Sequence, residues 1–168
     1  MDSVIETRRL RLRPFTRSDI EPLHAVFADA YARRFYPLMG EAERLAGWVE
    51  WSLGNYERFG IGLWALELLG EPGRLIGDCG LTYQDVEGRK ELELGWHLVE
   101  SERGRGYATE AARACLAYAF ERKLAPMVCS IVDPANTASR AVAGRVHQAC
   151  REFTKNESTM LLYYTLAP

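Results

Sequence analysis

Within six residues, Arg103-Gly104-Arg105-Gly106-Tyr107-Ala108 brings together two glycines, two arginines and the start of an apolar-periodic segment. A glycine-rich turn that opens a helix leaves several backbone N–H groups unpaired and pointing outward. It also adds the positive end of the helix dipole and lets an anion come close to the main chain. The arginines supply local positive charge in the same turn. Together these features describe a cradle for a diphosphate. On spacing alone, a glycine-rich turn with solvated arginines fits the same residues. Two nucleotide-binding patterns are disfavoured. The phosphate loop of nucleotide hydrolases needs Gly-x-x-x-x-Gly-Lys followed by Ser or Thr, which the chain lacks. The dinucleotide fingerprint needs Gly-x-Gly-x-x-Gly, whereas Gly104-x-Gly106 is followed by Thr109.

Such a turn works only where a strand delivers it to a helix, and the surrounding pattern provides both. Leu10 and Leu12 alternate with Arg9, Arg11 and Arg13, which predicts a strand with one apolar and one charged face, ended by Pro14. Ser18 and Glu21 have capping-box spacing, Pro22 suits a first turn, and Leu23, Val26, Phe27 and Ala30 form the stripe of a first helix. Leu45, Trp48, Val49, Leu53 and Tyr56 form a second, set off by Pro37 and Gly40 before it and Gly60 and Gly62 after it. From Leu63 the period becomes two. Turns at Glu71-Pro72-Gly73 and Val86-Glu87-Gly88 divide the run into a three-stranded antiparallel meander, its last strand Glu91 to Leu98 being the fourth of the fold. Gly104 to Phe120 is the strongest helix, Met127 to Val132 a buried strand, and Asn136 caps a helix running to about Ala149. Arg151 to Thr154 and Met160 to Leu166 then pair around Lys155-Asn156-Glu157-Ser158. This order predicts an α+β (mixed α/β) fold, a central mixed, mostly antiparallel sheet of about seven strands flanked by about four helices.

The chain of 168 residues, 48% of them apolar, suits a single domain spanning 1–168. A net charge of −2 provides no global basic field, so neither nucleic acid nor an anionic membrane is indicated as a partner. Cys79, Cys115, Cys129 and Cys150 are widely spaced, without a Cys-x-x-Cys pair or nearby histidines at ligand spacing; they read as buried, reduced thiols, and no metal is expected. Met1-Asp2-Ser3-Val4-Ile5-Glu6 lacks the basic start and apolar run of a signal peptide, and no segment is long enough to span a bilayer. The expected location is cytoplasmic.

Arg103 to Ala108 matches the signature Gln or Arg, two residues, Gly, one residue, then Gly or Ala, and Tyr107-Ala108-Thr109-Glu110-Ala111 continues it. With Glu93-Leu94-Gly95-Trp96 before it and Asn136-Thr137-Ala138-Ser139 after Val132-Asp133-Pro134, the chain resembles the GCN5-related N-acetyltransferase (GNAT) superfamily. Within that superfamily it is similar to the RimJ/RimL ribosomal-protein N-terminal acetyltransferases. The resemblance follows the element order along nearly the whole chain. It implies an acyl-CoA N-acyltransferase fold opening as a V between the fourth and fifth strands, and acetyl-CoA as cosubstrate. His97, Leu98 and Val99 would pair with the pantetheine arm, and the N–H groups of Arg103, Gly104, Arg105, Gly106, Tyr107, Ala108 and Thr109 would face the pyrophosphate. Asn136 and Ser139 would lie near the thiol end. The implied reaction is direct attack by a primary amine, a protein N-terminus or a small molecule, without an acyl-enzyme. A homodimer is compatible with the resemblance.

Two tasks then fall to the protein: removing a proton from an ammonium and assisting the departing thiolate. Period two puts Glu91, Glu93, Gly95 and His97 on one strand face, and Glu93 is the candidate base, with His97 second. The alternative for Glu91 and Glu93 is cross-strand pairing with Arg74 or Arg89. Many relatives carry a helper tyrosine about seven residues after the asparagine, where this chain has Ala143; Ser139 is the candidate for that role, with helix capping its alternative. Gly144 to Cys150 lacks the family's usual turn glycine, which predicts shortened or rearranged last strands. Trp51, Phe35 and Tyr36 are expected to contact the acceptor, and Trp48 and Tyr56 to pack in the core. A non-catalytic acyl-CoA-binding module is the competing reading.

Overall fold

The computed structural model describes residues 4–168. Leu10 and Leu12 are wholly buried in the strand β2 (Leu10–Arg13), which pairs antiparallel with a two-residue strand, β1 (Ile5–Glu6), too short to show in the sequence pattern. The expected charged face of β2 does not hold at Arg13. Its guanidinium is buried, donating to both Asp19 oxygens at 2.8 Å and to Glu67 at 2.7 Å. A buried arginine needs paired acceptors, and removing one such partner typically costs about 3–5 kcal/mol.

The helix expected from Ser18 divides in two. The carboxylate that accepts a backbone N–H at its start is Asp19, 2.8 Å from the Thr16 nitrogen, rather than Glu21. A single 3-10 turn then leads into α1 (Ile20–Val26), and Asp29 caps a separate α2 (Ala30–Phe35) by accepting from the Ala32 N–H. α3 (Ala42–Phe59) follows the predicted stripe, burying Leu45 and Val49, and ends at Gly60 with φ of 71°. That left-handed φ is where glycine is favoured as a helix terminator.

β3 (Leu63–Leu68), β4 (Leu75–Val86) and β5 (Arg89–Leu98) form the meander. On β3, Trp64 and Leu66 pack beneath α4 (Tyr107–Glu121), while Leu63 and Ala65 face α1 and α3, so helices cover both faces of the sheet. β6 (Met127–Val132), α5 (Thr137–Val146), β7 (Ala149–Lys155) and β8 (Ser158–Leu166) complete an eight-stranded sheet of order β1-β2-β3-β4-β5-β6-β8-β7. The described residues thus carry one more strand and one more helix than expected, both short.

β5 and β6 run parallel but pair only at Leu92 with Val128 and Glu93 with Cys129. Beyond that point they separate, giving the V-shaped opening. Ser130 Oγ donates to the Leu94 carbonyl at 2.6 Å just where the ladder stops. The last strands are not shortened: β7 and β8 pair from Ala149 with Tyr164 to Lys155 with Ser158. Asn156 and Glu157 turn them at φ of 49° and 65°, the positive angles of a type I′ hairpin. In place of a glycine turn after α5 stands His147, extended, with Nε2 2.9 Å from Ser130 Oγ and Nδ1 3.1 Å from Thr165 Oγ1. Cys79, Cys115 and Cys129 are buried as expected, whereas Cys150, on β7, is exposed.

Because Ser130 spends its one proton on Leu94, it accepts from His147 Nε2–H, and His147 Nδ1 accepts from Thr165. The ring is therefore neutral, and burial pushes its pKa down to about 4. The folded state then binds fewer protons than the unfolded chain between pH about 6.5 and 4. This contribution is present above 6.5 and lost as pH falls through 4, up to about 3 kcal/mol. His147→Gln, which preserves a donor and an acceptor, should lose that acid limb. The fall in Tm from pH 7 to 4 is expected to be roughly 5–10 °C smaller in the variant, and equal slopes for the two proteins would refute the assignment.

Candidate active site

The turn between β5 and α4 has the backbone its sequence requires. Gly104 and Gly106 adopt φ of 76° and 82°, and the first bond of the helix runs from the Glu110 N–H to the Gly106 carbonyl. Among the described residues, no acceptor takes the N–H groups of Gly104, Arg105, Gly106, Tyr107, Ala108 or Thr109 outside the helix ladder, which starts later. Six free donors thus sit at the helix's positive end, and Gly104, Gly106, Tyr107, Ala108 and Thr109 line one open cavity. Arg103 differs from expectation. Its N–H is donated to the Glu100 carbonyl, and its guanidinium makes a two-pronged bond to Asp29 at 2.7 and 2.8 Å. That same group also holds the Leu98 carbonyl and lies over the Tyr31 ring, 4.6 Å from its centroid. Arg103 thus anchors the turn to the cap of α2, and its charge is neutralised locally. A cation that sequence reasoning missed, Arg9, reaches the turn from the start of β2: its Nε donates to Glu110 at 2.6 Å and Nη1 to the Arg105 carbonyl at 3.0 Å. Alternation on a strand offered no sign that Arg9 would point there.

From this turn a cavity of about 830 Å³ runs past Tyr107, Ala108 and Thr109 to His97, Leu98, Ala138 and Ser139. Val99 does not line it. Its N–H donates to the Ile76 carbonyl of β4, and its side chain packs against the core. Asn136 caps α5, accepting from the Ser139 N–H at 3.0 Å, and its carbonyl also receives the Tyr31 hydroxyl at 2.7 Å. Ser139 Oγ lies 3.3 Å from that same hydroxyl. Capping is thus the work of Asn136, and the Ser139 hydroxyl faces the cavity. Ala143 is wholly buried in the core and does not line this cavity.

A second cavity of about 300 Å³ lies beside β5 and is lined by Phe35, Tyr36, Trp48, Trp51, Glu93 and Met160, among others. Tyr36, Trp96, His97 and Ser139 line both cavities, so the two meet there. Phe35, Tyr36 and Trp51 thus fall where expected, but Trp48 joins them rather than serving the core alone. Tyr56 behaves as core: its hydroxyl donates to the Leu63 carbonyl. β5 keeps ten consecutive pairs with β4, so Glu93, Gly95 and His97 share the face that lines the second cavity. Glu93 stands opposite Thr82, and Arg74 is engaged by Glu71 and Glu102, which removes the cross-strand ion-pair reading for Glu93 with Arg74. Burial pushes the Glu93 carboxyl up to about 7, against the opposing pull of Lys155, the Ile131 amide and His97. A carboxyl at that value is tuned to exchange protons near neutrality.

His97 is held from behind. Its Nδ1 lies 2.7 Å from Oδ1 of Asp78, which is fully buried on β4 and also receives the Trp48 indole N–H at 3.4 Å. Phe27, Tyr36 and Trp48 enclose the imidazole at centroid distances of 5.2, 4.7 and 5.7 Å. Sequence reasoning missed Asp78, although a carboxylate inside the apolar run Leu75-Ile76-Gly77-Asp78-Cys79 is itself a signal, since such a group is buried only with partners.

A family model for the acetyltransferase (GNAT) domain matches residues 9–147. The uncharacterized Bacillus subtilis protein YkkB is 33% identical over 141 residues, 83% of this chain and 81% of its own length. An acetyltransferase of known structure from Agrobacterium tumefaciens is 32% identical and superposes with a TM-score of 0.81, covering 98% of this chain and 94% of that one. RimL, a ribosomal alpha-N-protein acetyltransferase solved in complex with coenzyme A, shares the fold at a TM-score of 0.77 and 18% identity, over 98% of each chain. With its signature turn, its splayed strands and these likenesses, the chain belongs to the GNAT family of acetyltransferases.

Proposed function

We propose that this protein transfers an acetyl group from acetyl-CoA to a primary amine by direct attack in a ternary complex. The observation that carries the reading is the meeting of two cavities at Tyr36, Trp96, His97 and Ser139. One of them leads to an N–H-lined turn and the other holds a carboxyl with a pKa near 7. RimL, with the same fold, was solved with coenzyme A, which supports that cofactor here.

The turn fits a pyrophosphate: two glycines at left-handed φ leave it open, and six N–H groups await acceptors. Acetyl-CoA supplies an activated thioester. Gly104 to Thr109 would hold its pyrophosphate and the exposed edge at His97 and Leu98 its pantetheine arm, with Asn136 and Ser139 at the thioester end. Glu93 accepts the proton of the incoming ammonium, so that a neutral nitrogen is presented. Ser139 directs its hydroxyl to the departing sulfur. The amine is a small molecule or a protein N-terminus. A module that only bound acyl-CoA would need the first cavity, and would have no use for a carboxyl tuned to neutrality in the second.

Calorimetric titration with acetyl-CoA, and separately with ATP and NAD, tests the cofactor: micromolar affinity for acetyl-CoA alone is expected, and no binding refutes the proposal. Gly106→Val places a branched side chain at φ of 82° in the exposed turn. It should weaken acetyl-CoA by at least about 100-fold while the Tm moves by only a few degrees. Thiol release with a panel of amines (N-terminal peptide, polyamine, aminoglycoside, amino acid derivative) then tests transfer. Since Glu93 must be ionised to act, kcat/KM should rise with pH through about 7. Glu93→Gln should lose that limb and about 10²–10³-fold in kcat; an unchanged profile would remove Glu93 from the mechanism.

A further inference from the structure

We infer that His97, positioned by Asp78, is a catalytic proton shuttle between the attacking nitrogen and the departing sulfur; this rests on the proposed acetyl transfer. The reaction creates two proton problems at different places. Glu93 and His97 share a strand face four residues apart, about 13 Å along the strand. Glu93 lines only the acceptor cavity, where it can neutralise an ammonium on arrival. As the N–C bond forms, the nitrogen must shed a further proton, and as the C–S bond breaks, the sulfur must gain one. Both events occur where the cavities meet.

His97 lines both cavities at that joint, and its side chain is 12% exposed. The Asp78 carboxylate can only accept, so His97 Nδ1 carries the hydrogen of the 2.7 Å bond. Nε2 has no partner among the described residues and is left as the proton acceptor. Nε2 takes the proton from nitrogen as N–C forms, the Asp78 charge stabilises the resulting imidazolium, and Nε2 returns the proton to sulfur as C–S breaks. Protons balance over the step with no outside donor. Ser139 hydrogen-bonds the sulfur meanwhile, and the burial of Ala143 leaves no side-chain donor at the position it replaces. Phe27, Tyr36 and Trp48 fix the ring plane, so the imidazole has one orientation to serve both atoms.

The test uses His97→Ala with the best amine of the panel. We expect kcat to fall about 100- to 1,000-fold, with KM for acetyl-CoA changed less than about threefold. Added imidazole, entering the space between Phe27, Tyr36 and Trp48, should restore at least about tenfold. Thiazole, a ring of like size and far weaker basicity, should restore nothing; equal rescue by both would reduce His97 to packing and overturn the proposal. Asp78→Asn should lower kcat about 100-fold without weakening acetyl-CoA. A two-bond proton–nitrogen correlation of the unmodified protein at about pH 8 reads the ring directly. Hydrogen on Nδ1 alone is expected, and hydrogen on Nε2 overturns the shuttle whatever the acceptor. Full kcat in His97→Ala with acetyl-CoA bound normally sinks the shuttle alone, whereas a parent protein that binds no acetyl-CoA sinks the proposed function.

Discussion

The parting of β5 from β6 after Glu93 and Cys129 is the constraint on which the rest depends. A buried sheet cannot simply stop pairing, since each strand leaves N–H and C=O groups that need partners. Here the first orphaned acceptor, the Leu94 carbonyl, is taken by the Ser130 hydroxyl, which in turn is fixed by His147 and Thr165. That chain of side chains does what a further rung of ladder would have done, while leaving the strands apart. The edge of β5 beyond it stays open toward the cavity that ends at Ser139. The same splay lets α4 present its N-terminus to the first cavity and α5 its cap to the second, with Ser139 lining both.

Charge is arranged differently from what composition suggests. Arg105, within the turn, is more than half exposed and 3.6 Å from Glu102, whereas Arg103 is occupied by Asp29 and Arg9 by Glu110. Their ion pairs tie α2 and the start of β2 to the turn and so fix its shape. Glu110, despite partial burial that would raise it, is held below the usual carboxylate range by Thr7 and Arg9. For the diphosphate of the proposed cofactor, attraction would then come from oriented N–H groups, whose strength depends on geometry, together with Arg105. An arrangement of this kind suits a protein of nearly neutral charge, because no global field has to be built to hold one anion.

Patterns set by the chain itself were legible. The period-two run on β5 placed Glu93 and His97 on one face, and the glycine turn and the Asn136 cap stand where the sequence put them. What stayed hidden depends on pairs distant in sequence. Arg13 reads as a solvated strand residue until Glu67 and Asp19 are brought to it. A split at Asp29 looks like a continuous stripe until Arg103 is seen to need that carboxylate. The last strands keep their length because Ser130 and Thr165 satisfy His147, and no local spacing announces such a triad.

The cage around His97 is built by the core, and the proposed chemistry would draw on it. A fully buried carboxylate at Asp78 is unfavourable unless paired, and its partners come from β5 and α3. Satisfying Asp78 therefore docks His97 and Trp48 against the same point and fixes the wall between the cavities. Phe27, at the end of α1, packs against the imidazole with the rings tilted at 53° and edge-on against Trp48, so the helical layer reports directly to β5. Loosening any of these contacts would leave either a charge without a partner or a ring free to turn. The immobility the proposed proton shuttle needs is thus an outcome of the folding problem posed by one buried charge, which is why the proposed reactive joint lies over the core rather than on a surface loop.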